Sequence, residues 1–211
     1  MDSMLTTLRQ IVMKFTAQSH FADAVKTLVV DVKQAMGVDV CSIYLLDPAR
    51  SAYALAATDG LNLSQVGEAT LAEDQGLVGL VGRRAEPINV DLAQQHPEFY
   101  FLPDSGEEAF NSFLGVPIIH QRRVLGVLVV QQEASRRFDE SEEAFLVTLA
   151  AQLATVVSHA EAVGDSALPK ADTEEHRDSC FVGVAGSPGI AIGTAVVMHP
   201  VANLDAVPER E

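Results

Sequence analysis

Leu5, Leu8, Ile11, Val12 and Phe15 recur at spacings of three and four residues, which puts them on one face of a helix. A second stripe of this kind, Phe21, Ala24, Val25, Leu28, Val29, Val32 and Met36, predicts another helix, with Ser19 as its expected N-cap and Gly37 as its stop. The period then changes. Residues 38–46 (VDVCSIYLL) are β-branched and aromatic, as in a buried strand. Asp47-Pro48 opens a turn, and residues 52–58 form the returning arm of a hairpin. Residues 69–72 read as a short third strand, and 87–90 as another. Between them, residues 77–84 form a short helix whose inner face is Leu77, Leu80 and Val81. Residues 91–108 hold no period and are rich in Pro, acids and aromatics. Stretches of that length inside a domain are usually lids or binding loops. Residues 111–119 and 123–132 are two strands joined by a turn at 120–123. The run 124–130 is nearly all apolar, which predicts a central strand. Asp139 is the expected N-cap of a long last helix, with Ser141, Glu142 and Glu143 in its first turn. Its inner face is read as Ala144, Phe145, Thr148, Leu149, Gln152, Leu153 and Val156.

The resulting order, α-α-β-β-β-α-β-β-β-α, predicts an α+β fold in which helices pack on one side of an antiparallel sheet. Terminal helices brought to one face would suit a dimeric bundle. Residues 164–179 are polar and charged and read as a linker. Beyond it lies the glycine-punctuated β segment Gly183…Gly186-Ser187-Pro188-Gly189…Gly193. The expected organisation is a sensor-like domain at 1–163, a linker at 164–179, and the opening strands of a second unit at 180–211. The chemistry of that second unit is expected beyond Glu211.

A net charge of −15 repels nucleic acid and anionic lipid at long range. The short basic clusters, such as Arg83-Arg84 and Arg136-Arg137, sit at element ends. No apolar run approaches the roughly 20 residues that span a bilayer, and the N-terminus lacks the basic and apolar regions of a signal peptide. Cys41 and Cys180 lie far apart, with no metal or redox spacing. A reducing cytoplasm is the expectation. The six histidines are isolated from one another and from cysteine, so none is expected to be catalytic or to hold a metal. Cys41, inside a strand, reads as a small buried hydrophobe. Gly76-x-x-Gly79-x-x-Gly82 has neither P-loop nor dinucleotide spacing. It reads as a helix packed closely on the sheet.

Phe113-Leu114-Gly115-Val116-Pro117-Ile118-Ile119, the following Leu125-Gly126-Val127-Leu128, Phe138 and the helix from Phe145 to Ala154 resemble GAF domains. These are small-molecule sensors that often dimerise through terminal helices. Three stretches carry a further resemblance: Met4-Leu5-Thr6…Leu8-Arg9-Gln10-Ile11-Val12, Gly76-Leu77-Val78-Gly79-Leu80-Val81-Gly82-Arg83…Ala85-Glu86-Pro87-Ile88-Asn89, and Leu125 to Gln132. Over essentially the whole chain they are similar to the nitrogen-type Enzyme I family of phosphoenolpyruvate-protein phosphotransferases. In that family a GAF domain precedes an Enzyme I body that opens with a glycine-rich strand like the one at Gly183. The resemblance implies Met4 as the natural start, no catalytic residue and no cofactor in this stretch, and a phosphorylated histidine beyond Glu211. For the full-length protein it implies magnesium-dependent transfer from phosphoenolpyruvate to histidine, and then to a small histidine phosphocarrier. It also implies that a homodimeric domain senses nitrogen status through glutamine, with 2-oxoglutarate opposing.

The pocket of a GAF domain lies between the sheet, the short helix and the long loops. Carried onto this sequence, that puts Thr58, Asp59, Arg83, Asp91, Phe99, Tyr100, Asn111 and Ser112 in or near the rim. An amino acid needs donors for its carboxylate and an acid for its ammonium, roles open to Arg83 and Asp91. Phe99-Tyr100-Phe101 reads as a lid, or as a plug that would leave a ligand-free dimerisation module. Cyclic-nucleotide GAF domains carry Asn-Lys…Phe-x-x-x-Asp-Glu, where this chain has Gln131-Gln132…Phe138…Glu142-Glu143. Gln132 in place of the lysine removes the expected ion pair and argues against that ligand. Thiol-dependent GAF enzymes use several cysteines, and only Cys41 falls within the domain.

Overall fold

The computed structural model describes residues 2–102 and 104–165, so the second unit expected at 180–211 and all but the first two residues of the expected linker lie outside the described residues. Six strands form one antiparallel sheet: β1 (Val40–Asp47), β2 (Ala52–Asp59), β3 (Thr70–Ala72), β4 (Ile88–Val90), β5 (Ser112–His120) and β6 (Arg123–Gln132). Their order across the sheet is β3-β2-β1-β6-β5-β4. The helices are α1 (Asp2–Thr16), α2 (Phe21–Met36), α3 (Gly76–Arg84) and α4 (Glu140–Val163). The α+β class and the element order match the sequence reading, and the hairpin β5–β6 turns where expected.

The helices do not share one side. Successive residues of a strand point to opposite faces, and the central strands β1 and β6 are buried on both. Cys41, Ile43 and Leu45 of β1 join Leu128 and Val130 of β6 beneath α1, α2 and α4. Tyr44 of β1 and Val127 and Val129 of β6 join a second core beneath α3 and the following loop. A one-sided arrangement would leave that second apolar face in water.

α4 is long and apolar enough, by length and composition, to cross a membrane. It lies instead along the sheet, burying Phe145, Leu146, Leu149, Ala150, Leu153, Ala154, Val157 and Ala160. The buried stripe is rotated from the one read off the sequence. Thr148 and Gln152 are exposed, and the Thr148 hydroxyl donates back to the Ala144 carbonyl at 2.7 Å. The N-cap is as expected. Asp139 Oδ1 accepts from the backbone N–H of Ser141 and Glu142, and Glu142 Oε2 accepts from the Asp139 N–H. This is a full capping box.

α2 departs from expectation at its start. His20, not Ser19, is the N-cap, and its side chain makes no cap hydrogen bond. The Phe21 N–H instead donates to Asp165 Oδ2 at 3.1 Å, from the residue that follows the left-handed Gly164 cap of α4. A carboxylate at a helix N-terminus is favoured by the macrodipole, so a partner 144 residues distant in sequence does the work assigned to Ser19.

The glycines of α3 are explained by contact. A Cβ on Gly82 would collide with the Tyr53 hydroxyl, and one on Gly79 would sit 2.8 Å from the Glu73 carbonyl. This is close helix–sheet packing, as the sequence suggested. The β5–β6 turn carries strain that the sequence does not announce. Gln121 and Arg122 both adopt positive φ, 47° and 69°, the region a two-residue turn requires and side chains disfavour. Replacing the pair with Asn-Gly (Gln121→Asn with Arg122→Gly) is expected to stabilise the domain by about 1 kcal/mol, read as a raised denaturation midpoint with an unchanged slope.

Candidate functional site

On the α3 side of the sheet a small, partly open cavity lies between β5, β6, the first turn of α3 and the loop 91–111. Its floor follows from strand parity. Phe113 of β5 pairs with Gln131 of β6, so both rise on this face, and both line the cavity. Gly76, Leu77 and Val78 supply one wall, and Ala93, Phe99, Tyr100 and Glu107 descend from the loop.

The loop has internal order. It contains single turns of 3-10 helix at Ala93–Gln95 and Glu107–Ala109. The Ala93 N–H donates to the Asn111 carbonyl at 2.7 Å. The buried Ser105 hydroxyl donates to the Leu102 carbonyl at 2.7 Å and accepts from the Glu107 N–H. Asn62 fastens the tip from the neighbouring loop. Its side chain donates to the Asp104 carbonyl and its N–H to the Ser105 carbonyl. Of the aromatic trio, Phe99 packs against the second core, whereas Tyr100 and Phe101 are each 43% exposed. Tyr100 lies close over the start of α3, 3.3 Å from where a Gly76 Cβ would stand. The cavity left beneath is about 30 Å³, room for a water or two but not for a metabolite.

Three polar features converge on this space. First, Glu107 accepts a hydrogen bond from the Tyr44 hydroxyl at 3.1 Å. Burial raises the Glu107 carboxyl to about 7; the Tyr44 bond pulls it down and neighbouring Glu108 pushes it up. Burial likewise raises Tyr44, with Glu107 adding to the effect. Second, Gln131 is 7% exposed, and its Oε1 has no hydrogen-bond partner among the described residues. A buried acceptor left unpaired costs about 1–3 kcal/mol. Third, α3 has no side-chain cap. Gln75 turns away and accepts from the Ala72 N–H, so the first-turn N–H groups of α3 are not covered by it.

The residues singled out in the sequence are placed as follows. Phe99 and Tyr100 line the cavity. Arg83 lies outside it, donating to the Asp74 carbonyl and pairing with Glu98 at 3.1 Å. Asp91 is exposed, and its carbonyl accepts from the Ser135 hydroxyl. Thr58 is on the cavity face, but its hydroxyl is paired with that of Ser42 at 2.8 Å. Asp59 turns to the other face and pairs with Lys33 of α2 at 2.9 Å. Ser112 also lies on the far face, one residue out of parity with Phe113. Its hydroxyl shares its one proton between the Ala134 and Arg136 carbonyls and accepts from the Arg136 N–H. Asn111 donates to the Glu133 carbonyl at 2.7 Å. Glu107 and Gln131 were not singled out. Their signal was weak: Gln131 is a polar residue in a fully buried strand, and Glu107 is one acid among several.

Two chemical expectations are refined. The ion pair thought lost with Gln132 is present in another form. Arg136 donates to Gln132 Oε1 at 2.9 Å, forks onto both Glu142 oxygens at 2.8 and 2.9 Å, and lies over the Phe138 ring. Cys41 is fully buried on the helix-covered face, away from the cavity, and burial pushes its thiol up. That is the state of an unreactive cysteine.

The GAF domain family profile matches residues 20–157. The chain is 45% identical, over 99% of its length, to a protein of Escherichia coli strain K12 described as phosphoenolpyruvate-dependent phosphotransferase system. It is 47% identical over 90% of its length to a Salmonella typhimurium protein of the same description. It spans about a quarter of these relatives, 28% and 25% of their lengths. Among solved structures, the GAF domain of a phosphoenolpyruvate-protein phosphotransferase from Coxiella burnetii is 46% identical. It aligns with a TM-score of 0.75 over 77% of this chain and 97% of that one. The Acinetobacter counterpart is 48% identical, with a TM-score of 0.73 over 78% of this chain and 98% of that one. A free methionine-R-sulfoxide reductase from Neisseria meningitidis, 22% identical with a TM-score of 0.64 over 74% of this chain and 89% of that one, shares the fold alone.

Glu107 generates a pH signature. Its carboxyl is raised from 4.5 to about 7, so the folded state holds the proton more tightly than the unfolded chain. The stability it contributes is full below about 4.5 and is lost as pH rises through about 7. Thermal denaturation between pH 5 and 8 is expected to show declining stability for the parent, and a flatter profile for Glu107→Gln. An unchanged slope in the variant would contradict the assignment.

Proposed function

The chain belongs to the GAF domain family, among the GAF domains of phosphoenolpyruvate-protein phosphotransferases, and on that premise we propose that it senses a small molecule and regulates such an enzyme. The observation that carries the reading is the polar set under an ordered loop, Gln131 buried and Glu107 half-buried. Glu107, the unpaired Gln131 oxygen and the start of α3 are costly in an empty core, and a ligand would repay that cost. Glutamine is the proposed ligand, with 2-oxoglutarate opposing it.

The mechanism proposed is a population shift. In the closed form the cavity is too small for glutamine, so binding selects a form in which Phe99 and Tyr100 have moved. Only that difference in affinity can bias the domain. The loop is bonded to the end of β6 and the residue after it through Asn111, and to the β6–α4 segment through Asp91 and Ser135. Its displacement therefore bears on the start of α4. In the full-length protein the bias would reach a phosphotransferase that uses phosphoenolpyruvate and magnesium and passes phosphate from its histidine to a histidine phosphocarrier in the cytoplasm. Self-association belongs to the same proposal. Met4, Leu5 and Leu8 of α1 and Ala144, Phe145 and Thr148 of α4 line an apolar surface groove of about 300 Å³ suited to a second copy.

A second reading is favoured by the small cavity itself: a plugged pocket and a dimerisation role only. Calorimetric titration with glutamine, 2-oxoglutarate and cyclic nucleotides separates the two. Saturable binding of glutamine, with altered hydrogen exchange across residues 92–110, is expected. Heat from a cyclic nucleotide alone would replace glutamine as the ligand. No binding by any of them would leave the plugged module.

A further inference from the structure

The short turn Glu107–Ala109 is fastened to the sheet by one side chain. Glu107 Oε1 accepts from the hydroxyl of Tyr44, a fully buried residue of β1, at 3.1 Å. Few other bonds hold the turn. The Ser105 hydroxyl takes the Glu107 N–H at 3.2 Å, and Gln94 donates to the Glu108 carbonyl at 2.7 Å. Gly106, which precedes the turn, has a φ of 81°, and a Cβ on it would meet nothing within 4 Å. The backbone there is free to rotate. The elements around Glu107 supply no full positive charge. β1 presents the Tyr44 hydroxyl, β6 the uncharged Gln131 and β3 the apolar Leu71. α3 presents Gly76, Leu77 and Val78, with at most the partial positive end of its dipole. The loop adds Ala93, Phe99 and the phenol of Tyr100, and beside Glu107 stand two more acids, Glu108 and the exposed Asp104. Among the described residues lining this space there is no Lys, Arg or His. An ionised Glu107 would therefore keep a hydrogen bond but have no countercharge. A carboxylate drawn from water on those terms is costly, and either a proton or a return to water removes the cost.

We propose that the Glu107–Tyr44 bond is a proton-operated latch: a protonated Glu107 holds the turn 106–110 closed over the cavity, and loss of that proton to solvent releases it. A protonated carboxyl still accepts from Tyr44 through its carbonyl oxygen, so the closed form keeps the bond without the charge. The direction follows from the same contacts. Burial above all raises the closed carboxyl from 4.5 to about 7. In the released turn the carboxyl meets water and returns to its ordinary range. The closed form is then fully favoured below about 4.5 and gives way as pH rises through about 7. The latch rests on the loop displacement proposed for ligand entry, and adds that the displacement is set by pH.

Hydrogen exchange of the whole chain without ligand tests this, read as protection factors of the bonded amides of Ser105, Glu107 and Phe110 between pH 5 and 8. In the parent, protection is expected to fall at least tenfold from pH 5 to 7.5, and to stay below that of β1 and β6 throughout, as local opening requires. Glu107→Gln keeps an acceptor for Tyr44 but has no proton to lose, and its protection is expected to be flat with pH. Tyr44→Phe is expected to be less protected than the parent at pH 5. A flat profile in the parent would overturn the latch, as would a Glu107→Gln profile as steep as the parent's. Protection equal to that of β1 and β6 would mean global unfolding and overturn it too. No ligand enters these measurements, so each of those outcomes leaves the sensor reading standing. Absence of ligand binding by calorimetry, with the pH profile as expected, would remove the sensor reading and leave the latch.

Discussion

Everything in this domain is organised by two strands that have no outside. β1 and β6 lie at the centre of the sheet, and both of their faces are buried. Each alternate residue of these strands therefore belongs to a different core. One core needs the three long helices, and the other needs α3 and the loop. Burying apolar surface is worth roughly 25 cal/mol per Å². Neither cover is optional, and the loop is as much a structural layer as a lid.

Unpaired buried acceptors occur on both sides of the sheet among the described residues. On the helix side most polar groups are paired, with Asp31 Oδ2 of α2 the exception among the described residues. Ser112 engages three backbone groups with one shared proton, and the half-buried Asp59 answers Lys33. On the loop side Gln131 Oε1 is unpaired, and burial raises the Glu107 carboxyl to about 7.

Long-range polar bonds hold both ends of α4. Asn89 of β4 bonds both the N–H and the carbonyl of Phe138, and Arg136 forks onto Glu142 at the start of α4. At the other end of α4, Asp165 caps α2. α4 is thus fastened at its start to the segment beside the loop and at its finish to the helix that opens the matched family region.

The strands, the four helices and the caps at Gly37 and Asp139 were legible because they depend on local order: period, turn chemistry and capping residues a few positions apart. The likeness of Gly76 to Asn89 and of Leu125 to Gln132 to phosphotransferase GAF domains was equally readable. The site was read only in part. Phe99 and Tyr100 lie within it, but Ser112 and Asp59 face the wrong way by one residue of strand parity. Arg83 has a partner 15 residues away. Glu107 matters because Tyr44, 63 positions distant, reaches it, and Asp165 caps a helix 144 positions distant. Which acid is buried, which amide is left unpaired and which face a polar residue takes are consequences of contacts between segments remote in sequence. No local pattern encodes them; the tertiary structure alone decides them.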